Sequence, residues 1–453
     1  MANGTSAAKA IPRIFQVPEL KEKILFTLLC LAIYRLGSHI TTPGVDLRAL
    51  EQLAGQFQGT LFGIYDMFVG GGLQRATVLA LGIMPYISAS ILFQLLAAVF
   101  PTIEKLQKHE GEEGRRKLTQ WTRYTTVVLC IMQSYGYSIF LESQPGAVID
   151  PGLGFRMTTV LMLTTGGIFV MWLGEQITER GVGNGMSLLI FFSIVQGFPG
   201  AVFSTLELFR AGGISLFRLI ALVVVMIAII AAVTALTMAA RRIPVQIPRK
   251  VVGRGRIREG QRSFIPLRVN SAGVMPIIFA QSIIIVPGTL AAFTGNPGPG
   301  STGVSGFLYD LSQIFQIGTV WYYVTYGILI VYFTYFYTSI IFNPVDLAEN
   351  LKRQGGFIPG VKPGAQTAEY IDRVLTRVTL PGSIYLAAIA ILPFGIFALF
   401  DIQTFFFGGT SLLIVVGVAL DTVQQMQQHL LLRHYEGFMK KGRVKYRGRQ
   451  RYM

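Results

Sequence analysis

The hydrophobic pattern divides the chain into ten long apolar segments separated by short polar or basic stretches. A helix needs about 20 mostly apolar residues to cross the hydrocarbon core of a bilayer, and that length sets the span boundaries. The predicted spans cover residues 24–41, 76–98, 121–141, 157–175, 184–203, 217–239, 270–293, 320–342, 378–400 and 410–432. An even number of spans places both termini on one side. The pattern therefore predicts an all-α polytopic membrane protein with ten transmembrane helices.

One further apolar segment is too short to be a span. Residues 61–69 run into the glycine triplet Gly70–Gly72 and then into the second span, which contains Pro85. Non-spanning backbone persists at membrane depth only where protein or a water-filled cavity surrounds it. The order predicts a short helix, a glycine hinge and then a full-length helix interrupted by Pro85.

Composition and charge support this topology and give it an orientation. The chain is 52% apolar and only 14% charged, against about 25% charged residues in ordinary globular chains. Of its 39 lysines and arginines, 33 lie in the N-terminal segment, in the loops after even-numbered spans or in the tail. Arg35 lies within the first span, and five lie on the opposite side: Arg48, Arg75, Arg156, Arg210 and Arg218. Both termini are therefore expected in the cytoplasm.

The net charge of +16 is mostly explained by this topology signal. Attraction to anionic lipids, at about 1 kcal/mol for each basic residue near the surface, accounts for much of the remainder. The first twenty residues lack the pattern of a cleaved signal peptide, so the first span is expected to stay in the mature protein. Cys30 and Cys130 lie in apolar runs without metal-type spacing, which favours free thiols.

Two cytoplasmic loops and the tail are more basic or longer than orientation requires. In loop 240–269, β-branched and apolar residues flank a glycine-rich centre, which predicts a basic hairpin. Its tip carries Arg254, Arg256 and Arg258. Loop 343–377 contains a Pro/Gly-rich turn that presents Lys362. Both loops either dock a partner or only fix the topology, and the tail 434–453 either faces lipid or contacts ribosomal RNA.

Five strings carry a resemblance to a known family: residues 59–96, GIMPYISAS within them, GEQITERGVGNGMS, VNSAGVMPIIFAQSI and FGGTSLLIVV. They resemble the SecY family of protein-conducting channels, from about Leu20 to Glu436. The resemblance implies a clamshell of two pseudo-symmetric halves, residues 1–216 with spans one to five and residues 217–453 with spans six to ten. An odd number of spans in each half forces the two halves into inverted topologies.

The resemblance assigns a hydrophobic pore ring. Its six members are Ile83, Ile87, Met186, Ile190, Ile278 and Ile414. From the residues alone these are ordinary core or lipid-facing positions, although Ile83 and Ile87 share one helix face. An apolar ring offers a passing polypeptide no hydrogen bonds and blocks ions by dewetting. The family's ring is mainly isoleucine, so Met186 is a departure.

The resemblance also assigns a plug and a lateral gate. The plug, on the external side of the ring, comprises Leu61, Phe62, Ile64, Tyr65, Asp66, Met67, Phe68 and Gly70; an ordinary external amphipathic helix is the alternative. Spans two and seven form the family's gate, through which signal sequences and membrane helices leave. Helical rise puts Gln94 and Asn270 both about 10–12 Å from the ring level. They are expected to be gate residues, or else ordinary helix-packing amides.

The implied function is passage of unfolded secretory polypeptides across a bacterial cytoplasmic (inner) membrane, with lateral release of membrane helices; a plastid membrane is also compatible. The family assembles with SecE and SecG, and its cytoplasmic loops contact the ribosome and the motor ATPase SecA. It usually has arginine where this chain has Lys362. No cofactor or metal site is expected.

Two other classes of protein fit less well. A secondary active transporter needs ionisable groups inside the membrane, yet Glu175, Glu179 and Asp421 lie toward the cytoplasmic edge of their spans. An intramembrane enzyme is not expected, because the chain has no HExxH, no P-loop and no paired membrane aspartates, and GVGNG alone is too weak for nucleotide binding. Energy for transport is therefore expected from a partner.

Overall fold

The computed structural model describes residues 17–50, 61–108, 111–246, 251–252, 256–257, 262–293, 303–316, 318–400 and 409–441. The N-terminal part contains α1 (Pro18–Gly37), α2 (Leu61–Val69), α3 (Met84–Val99), α4 (Pro101–Lys108), α5 (Gly111–Ser143), α6 (Leu153–Arg180) and α7 (Gly185–Arg210). The C-terminal part contains α8 (Leu216–Met238), α9 (Met275–Phe293), α10 (Val304–Ile314), α11 (Val320–Ile341), α12 (Pro344–Arg353), α13 (Ala365–Phe400) and α14 (Gly409–Lys441). Between α8 and α9 lie β1 (Ala240–Gln246), β2 (Val251–Val252), β3 (Arg256–Ile257) and β4 (Arg262–Arg268).

Each predicted span coincides with a helix over most of its length, so the helical fold class is confirmed. By length and composition, six helices in the described part of the chain can cross a membrane: α6, α7, α8, α11, α13 and α14. Two shorter apolar helices are α3 and the first part of α9. Helices α1 and α5 occupy the first and third predicted spans. Helices α5, α13 and α14 continue beyond their predicted spans at the ends expected to be cytoplasmic.

The second span begins later than predicted. Residues 72–83 form successive turns, and α3 starts at Met84 with Pro85 in its first turn. Proline fits a first helical turn because its missing N–H has no helical partner there. Pro85 therefore begins the helix, and the prediction of an interrupted full-length helix is wrong.

The two long basic loops, 240–269 and 343–377, fold against each other. Strands β1 and β4 pair antiparallel, which confirms the predicted hairpin, while its turn at 253–255 lies outside the described residues. Gln246 and Phe357 exchange two backbone hydrogen bonds of 2.9 Å each, which join the hairpin to the second loop. A separate hydrophobic cluster unites them: Ile243, Val245, Leu267, Ile358, Ile371, Val374 and Leu375.

An ion pair at each end holds α5 against α6. Arg123 donates to Glu175 at 2.8 Å at one end, and Arg156 donates to Glu142 at 2.6 Å at the other. The hydrogen bond from Arg156 is the main cause that lowers the pKa of Glu142, and the backbone N–H of Gly152 adds to it. Glu142 is therefore ionised at neutral pH. Because Glu175 is paired with Arg123, it is not a free carboxylate within the membrane.

Candidate functional site

A small cavity of about 160 Å³ lies between α3, α7 and α9. Four of the six predicted ring residues line it: Ile87 from α3, Met186 and Ile190 from α7, and Ile278 from α9. Ile190 and Ile278 are only 1% and 2% exposed. The fold thus brings apolar side chains from three distant segments to one small cavity, which polar residues such as Ser90, Gln94 and Ser187 also line.

The other two ring residues are buried close to this group. Ile83 immediately precedes α3, and its carbonyl oxygen accepts from the N–H of Ile87 at 3.1 Å, so the two stand one helical turn apart. Ile414 is fully buried in α14. Both belong to the same hydrophobic cluster as the cavity residues, but they are not among those that line the cavity. The pore ring of six residues therefore stays a prediction.

The start of α7, which carries Met186, is fixed by local capping. The side chain of Asn184 accepts from the backbone N–H groups of Met186 and Ser187 at 3.1 and 3.4 Å, as an N-cap residue does. Thr178 accepts from the N–H of Gly185 at 2.9 Å. The GVGNG string is thus a tight turn between α6 and α7 that sets the position of a cavity residue.

The predicted plug is a helix, α2, and it is buried on nearly all sides. Phe68 and Ile64 are 1% and 2% exposed, and Phe62, Tyr65 and Asp66 are also buried. Helix α2 packs against α7 and α9. A helix that is apolar all round belongs in an interior, whereas an external amphipathic helix would leave one face in water. Burial therefore argues against the amphipathic alternative.

Three contacts fix the depth of α2 relative to the ring positions. The Tyr65 hydroxyl donates to the carbonyl oxygen of Leu81 at 3.2 Å, just before Ile83. The hydroxyl of Ser411 lies 3.3 Å from the sulfur of Met67, one turn before Ile414.

The third contact comes from the antiparallel helix. The Gln196 amide donates to the carbonyl oxygen of Gly70, and Gln196 follows Ile190 along α7. In the predicted topology α3 and α14 run inward and α7 runs outward, so all three contacts lie on the external side of the ring positions. This arrangement is the one expected of a plug.

The glycine hinge has the backbone that only glycine adopts readily. Gly70 and Gly71 both have φ of +77°, in the left-handed region where a side chain is strained. Asp66 closes the turn, since its carboxylate accepts from the N–H groups of Leu73 and Gln74 at 2.7 and 3.0 Å.

The two predicted gate amides do not meet. Helices α3 and α9 are in contact, but within the described residues no hydrogen bond joins Gln94 to Asn270. Gln94 donates to Ser90 at 3.0 Å within α3. Asn270 donates to the carbonyl oxygen of Gly273 at 3.0 Å, and its own side-chain oxygen is buried without a partner. Asn270 precedes α9 in a non-helical stretch, so the depth estimate from helical rise is wrong for it.

Tyr337 of α11 is a candidate gate residue that the sequence did not reveal. Its side chain lines the small cavity together with Gln94 of α3, and its ring packs edge-on against Phe279 of α9 at 5.4 Å. The polar residues that face each other at this cavity therefore come from α3 and α11. Tyr337 lies in a span rich in aromatic residues, where no pattern distinguishes it.

A wider cavity of about 540 Å³ adjoins the first one and shares Asn184, Ser187, Met275 and Tyr337 with it. Its lining is mixed, with the polar residues Arg268, Asp421 and Gln424 beside apolar ones such as Val274 and Val418. Lys362 is exposed on the turn before α13. Arg254 and Arg258 lie outside the described residues, and Arg256 belongs to strand β3.

The profile of the SecY family matches residues 77–423 of the chain. The chain belongs to the SecY family. The SecY protein translocase subunits of Aquifex aeolicus and Escherichia coli K12 are 43% and 45% identical to it. These alignments cover 94% and 95% of this chain, and 98% and 96% of the relatives.

Solved SecY-type structures share the fold. A structure described as a protein conducting channel superposes with a TM-score of 0.66 at 17% identity, covering 96% of this chain and 99% of that one. Canine Sec61, solved in a ribosome-channel complex from the endoplasmic reticulum, superposes with a TM-score of 0.61 at 17% identity over the same fractions. At such identities the likeness concerns the fold.

Proposed function

We propose that this chain is the channel-forming subunit of a protein translocase, which passes unfolded polypeptides across the membrane and releases membrane helices to lipid. One observation carries the proposal: apolar side chains from α3, α7 and α9 meet at a single small cavity, and the buried helix α2 lies beside them. Such a constriction holds back ions while offering a moving chain no hydrogen bonds. The chain itself catalyses no reaction.

The six-residue ring, the plug 61–70 and the two halves 1–216 and 217–453 are parts of this proposal. Contacts between the halves support it. Helix α2 packs on α9, α3 on α9, and α7 on α14. Helices α3, α7 and α9, which take part in these contacts, line the small cavity, so separation of the halves would open the cavity and the side of the channel.

The secondary-transporter alternative receives no support from the SecY relatives. Two of the carboxylates that could serve such a transporter also have other contacts. Glu175 is paired with Arg123, and Asp421 lines the cavity of about 540 Å³.

A polypeptide trapped during passage tests the channel directly. With a photocrosslinking residue in place of Ile278, a stalled secretory precursor is expected to form a strong adduct, because the 278 side chain lines the constriction. The matched control is Ile227 on α8, whose side chain is 62% exposed on the outside of the bundle and should give little adduct. Crosslinked bands on denaturing gels measure both. No adduct from positions 83, 190, 278 or 414 in an engaged complex would refute the channel.

Partners and location complete the proposal. The chain assembles with SecE and SecG and lies in a bacterial inner membrane with both termini in the cytoplasm, as the basic-residue distribution indicates. SecA or a translating ribosome drives transport, anionic lipids contact the basic segments, and ribosomal RNA is a further contact for the tail. Support for the ribosome comes from canine Sec61, whose structure was solved in a ribosome complex.

The joined cytoplasmic loops are proposed as the docking surface, with Arg254, Arg256, Arg258 and Lys362 as its basic residues. Lys362→Glu is expected to weaken binding of SecA or ribosomes roughly fivefold at low salt, since rim charges act through long-range attraction. Lys105→Glu, at another exposed cytoplasmic position, is the control. Binding to reconstituted vesicles measures the effect, which should shrink as salt increases. Equal affinities for the two variants would remove Lys362 from the surface.

A further inference from the structure

The C-terminal end of the plug helix is held by neighbouring side chains of α1. The hydroxyl of Tyr34 donates to the carbonyl oxygen of Val69 at 3.2 Å. It also bonds the hydroxyl of Ser193 on α7 at 2.9 Å. A phenol has a single proton, so Ser193 is the donor in that second bond. Tyr34 is 2% exposed, which makes this a dry contact between α1, α7 and the plug.

Arg35, the next residue on α1, reaches the adjacent carbonyl group through an intermediary. Its guanidinium donates to the side-chain oxygen of Gln196 on α7. The amide nitrogen of Gln196 donates in turn to the carbonyl oxygen of Gly70. Arg35 thus fixes which end of the amide faces the hinge. A Cβ at Gly70 would overlap the Gln196 amide, so the close approach also depends on glycine.

The two carbonyl groups are well suited to this arrangement. They lie at the C-terminal end of α2, where helix carbonyls lack helical partners and the macrodipole favours a cation. A charged residue within a span is costly and usually has a partner and a function. Arg35 lies within the first predicted span, and its guanidinium is directed through Gln196 at this helix end.

We infer that Tyr34 with Ser193, and Arg35 with Gln196, form a latch that sets how readily the plug leaves its closed position. The inference rests on the proposed channel function and adds positioning residues to it. Gly70 and Gly71 allow the backbone to turn as the plug moves. The latch binds the carbonyl oxygen of Gly70 through Gln196, which lies outside the plug. The plug can then leave only after both carbonyl oxygens have exchanged their protein donors for water.

Substitutions in the two branches of the latch are expected to combine differently in double variants. Arg35 and Gln196 act in series on one carbonyl group, so Arg35→Met, Gln196→Leu and the double variant should have the same effect. Tyr34→Phe removes the other branch and should add its own effect. A lost hydrogen bond of ordinary strength corresponds to a shift of about fivefold in a two-state population. Each branch is therefore expected to raise the displaced-plug population about fivefold.

The experiment uses the reconstituted complex with Met67→Cys as a reporter of plug position. Both native cysteines are buried. The rate at which an impermeant thiol reagent modifies position 67 from the external side is measured without precursor, and resting ion conductance is measured in parallel. Arg210→Met, at an exposed position at the end of α7, is the matched control and should leave both unchanged. Arg35→Lys retains a charged donor, so its labelling rate should lie between those of the unaltered protein and Arg35→Met. It can also be measured if Arg35→Met fails to assemble.

Unchanged labelling in both Arg35→Met and Gln196→Leu would overturn the latch, and additive effects of the two would overturn their serial arrangement. The precursor adduct from position 278 is recorded in the same preparations. If unaltered protein gives that adduct while latch variants label normally, only the latch fails. If unaltered protein gives no adduct, the channel proposal itself fails.

Discussion

Removal of the plug helix, residues 61–69, is expected to turn the resting channel into an ion leak. Burying a large apolar side chain favours the closed state by about 1.5–3 kcal/mol, and α2 buries Phe62, Ile64 and Phe68. Burial of three such side chains stabilises the closed plug by at least about 4.5 kcal/mol, and each step of about 1.4 kcal/mol is a factor of ten. The resting conductance should therefore rise at least about a thousandfold.

Single-channel recording in planar bilayers measures this leak. The deleted residues are replaced by a glycine-serine linker of equal length, so that the external connection is not shortened. Met67→Leu, which keeps an apolar side chain in α2, serves as the control and should stay closed. A deletion variant that is as tight as the unaltered protein would show that the apolar constriction seals alone, and would remove α2 from the role of plug.

Loss of the polar groups that α3 and α11 bring to the small cavity is expected to relax the selection of precursors. Tyr337→Phe removes only the hydroxyl of a residue that lines this cavity with Gln94, and it preserves the packing of the ring on Phe279. Polar interactions between helices in lipid contribute about 1 kcal/mol, so export of a precursor with a weakened signal sequence should rise about fivefold. Gln94→Leu removes the polar group on the other helix, and the double variant should show no larger effect than either single one.

The rate of export of normal and signal-defective precursors into vesicles gives the comparison. Tyr332→Phe, at an exposed position on the same helix, is the control. Unchanged discrimination in both Tyr337→Phe and Gln94→Leu would show that these groups only pack helices together. Asn270→Leu tests a different role, because Asn270 bonds Gly273 at the start of α9 rather than the opposite helix.

The sequence predicted those features that depend on local pattern. Hydropathy located each span, and the short apolar run before the glycine triplet predicted helix α2 and the turn after it, where Gly70 and Gly71 have φ of +77°. The alternation around Gly253–Gly255 predicted the hairpin. The four ring residues at the small cavity were identified through resemblance, since an isoleucine in an apolar span has no signature of its own.

The errors arose where tertiary structure sets the local conformation. Pro85 can interrupt a helix or begin one. It begins α3 here because the residues before Met84 form packed turns. Asn270 was placed by helical rise in a segment that is not helical. Gln94 and Tyr337 line one cavity although they are far apart in sequence, and the pairing of Gln246 with Phe357 joins two separate loops. Hydropathy carries no information on such pairs.

The joining of the two basic loops, 240–269 and 343–377, has a mechanical consequence. Ile371, Val374 and Leu375 of the shared cluster belong to α13, which runs without a gap for 36 residues. At 1.5 Å per residue this helix follows a path of about 54 Å. It contains Pro381 and Pro393, and it packs against α11 and α14. A push by a cytoplasmic motor on the hairpin would act on one end of a lever whose other end lies inside the C-terminal half. Helix α13 could thus transmit force, and not only a binding signal, from the joined loops into the helix bundle.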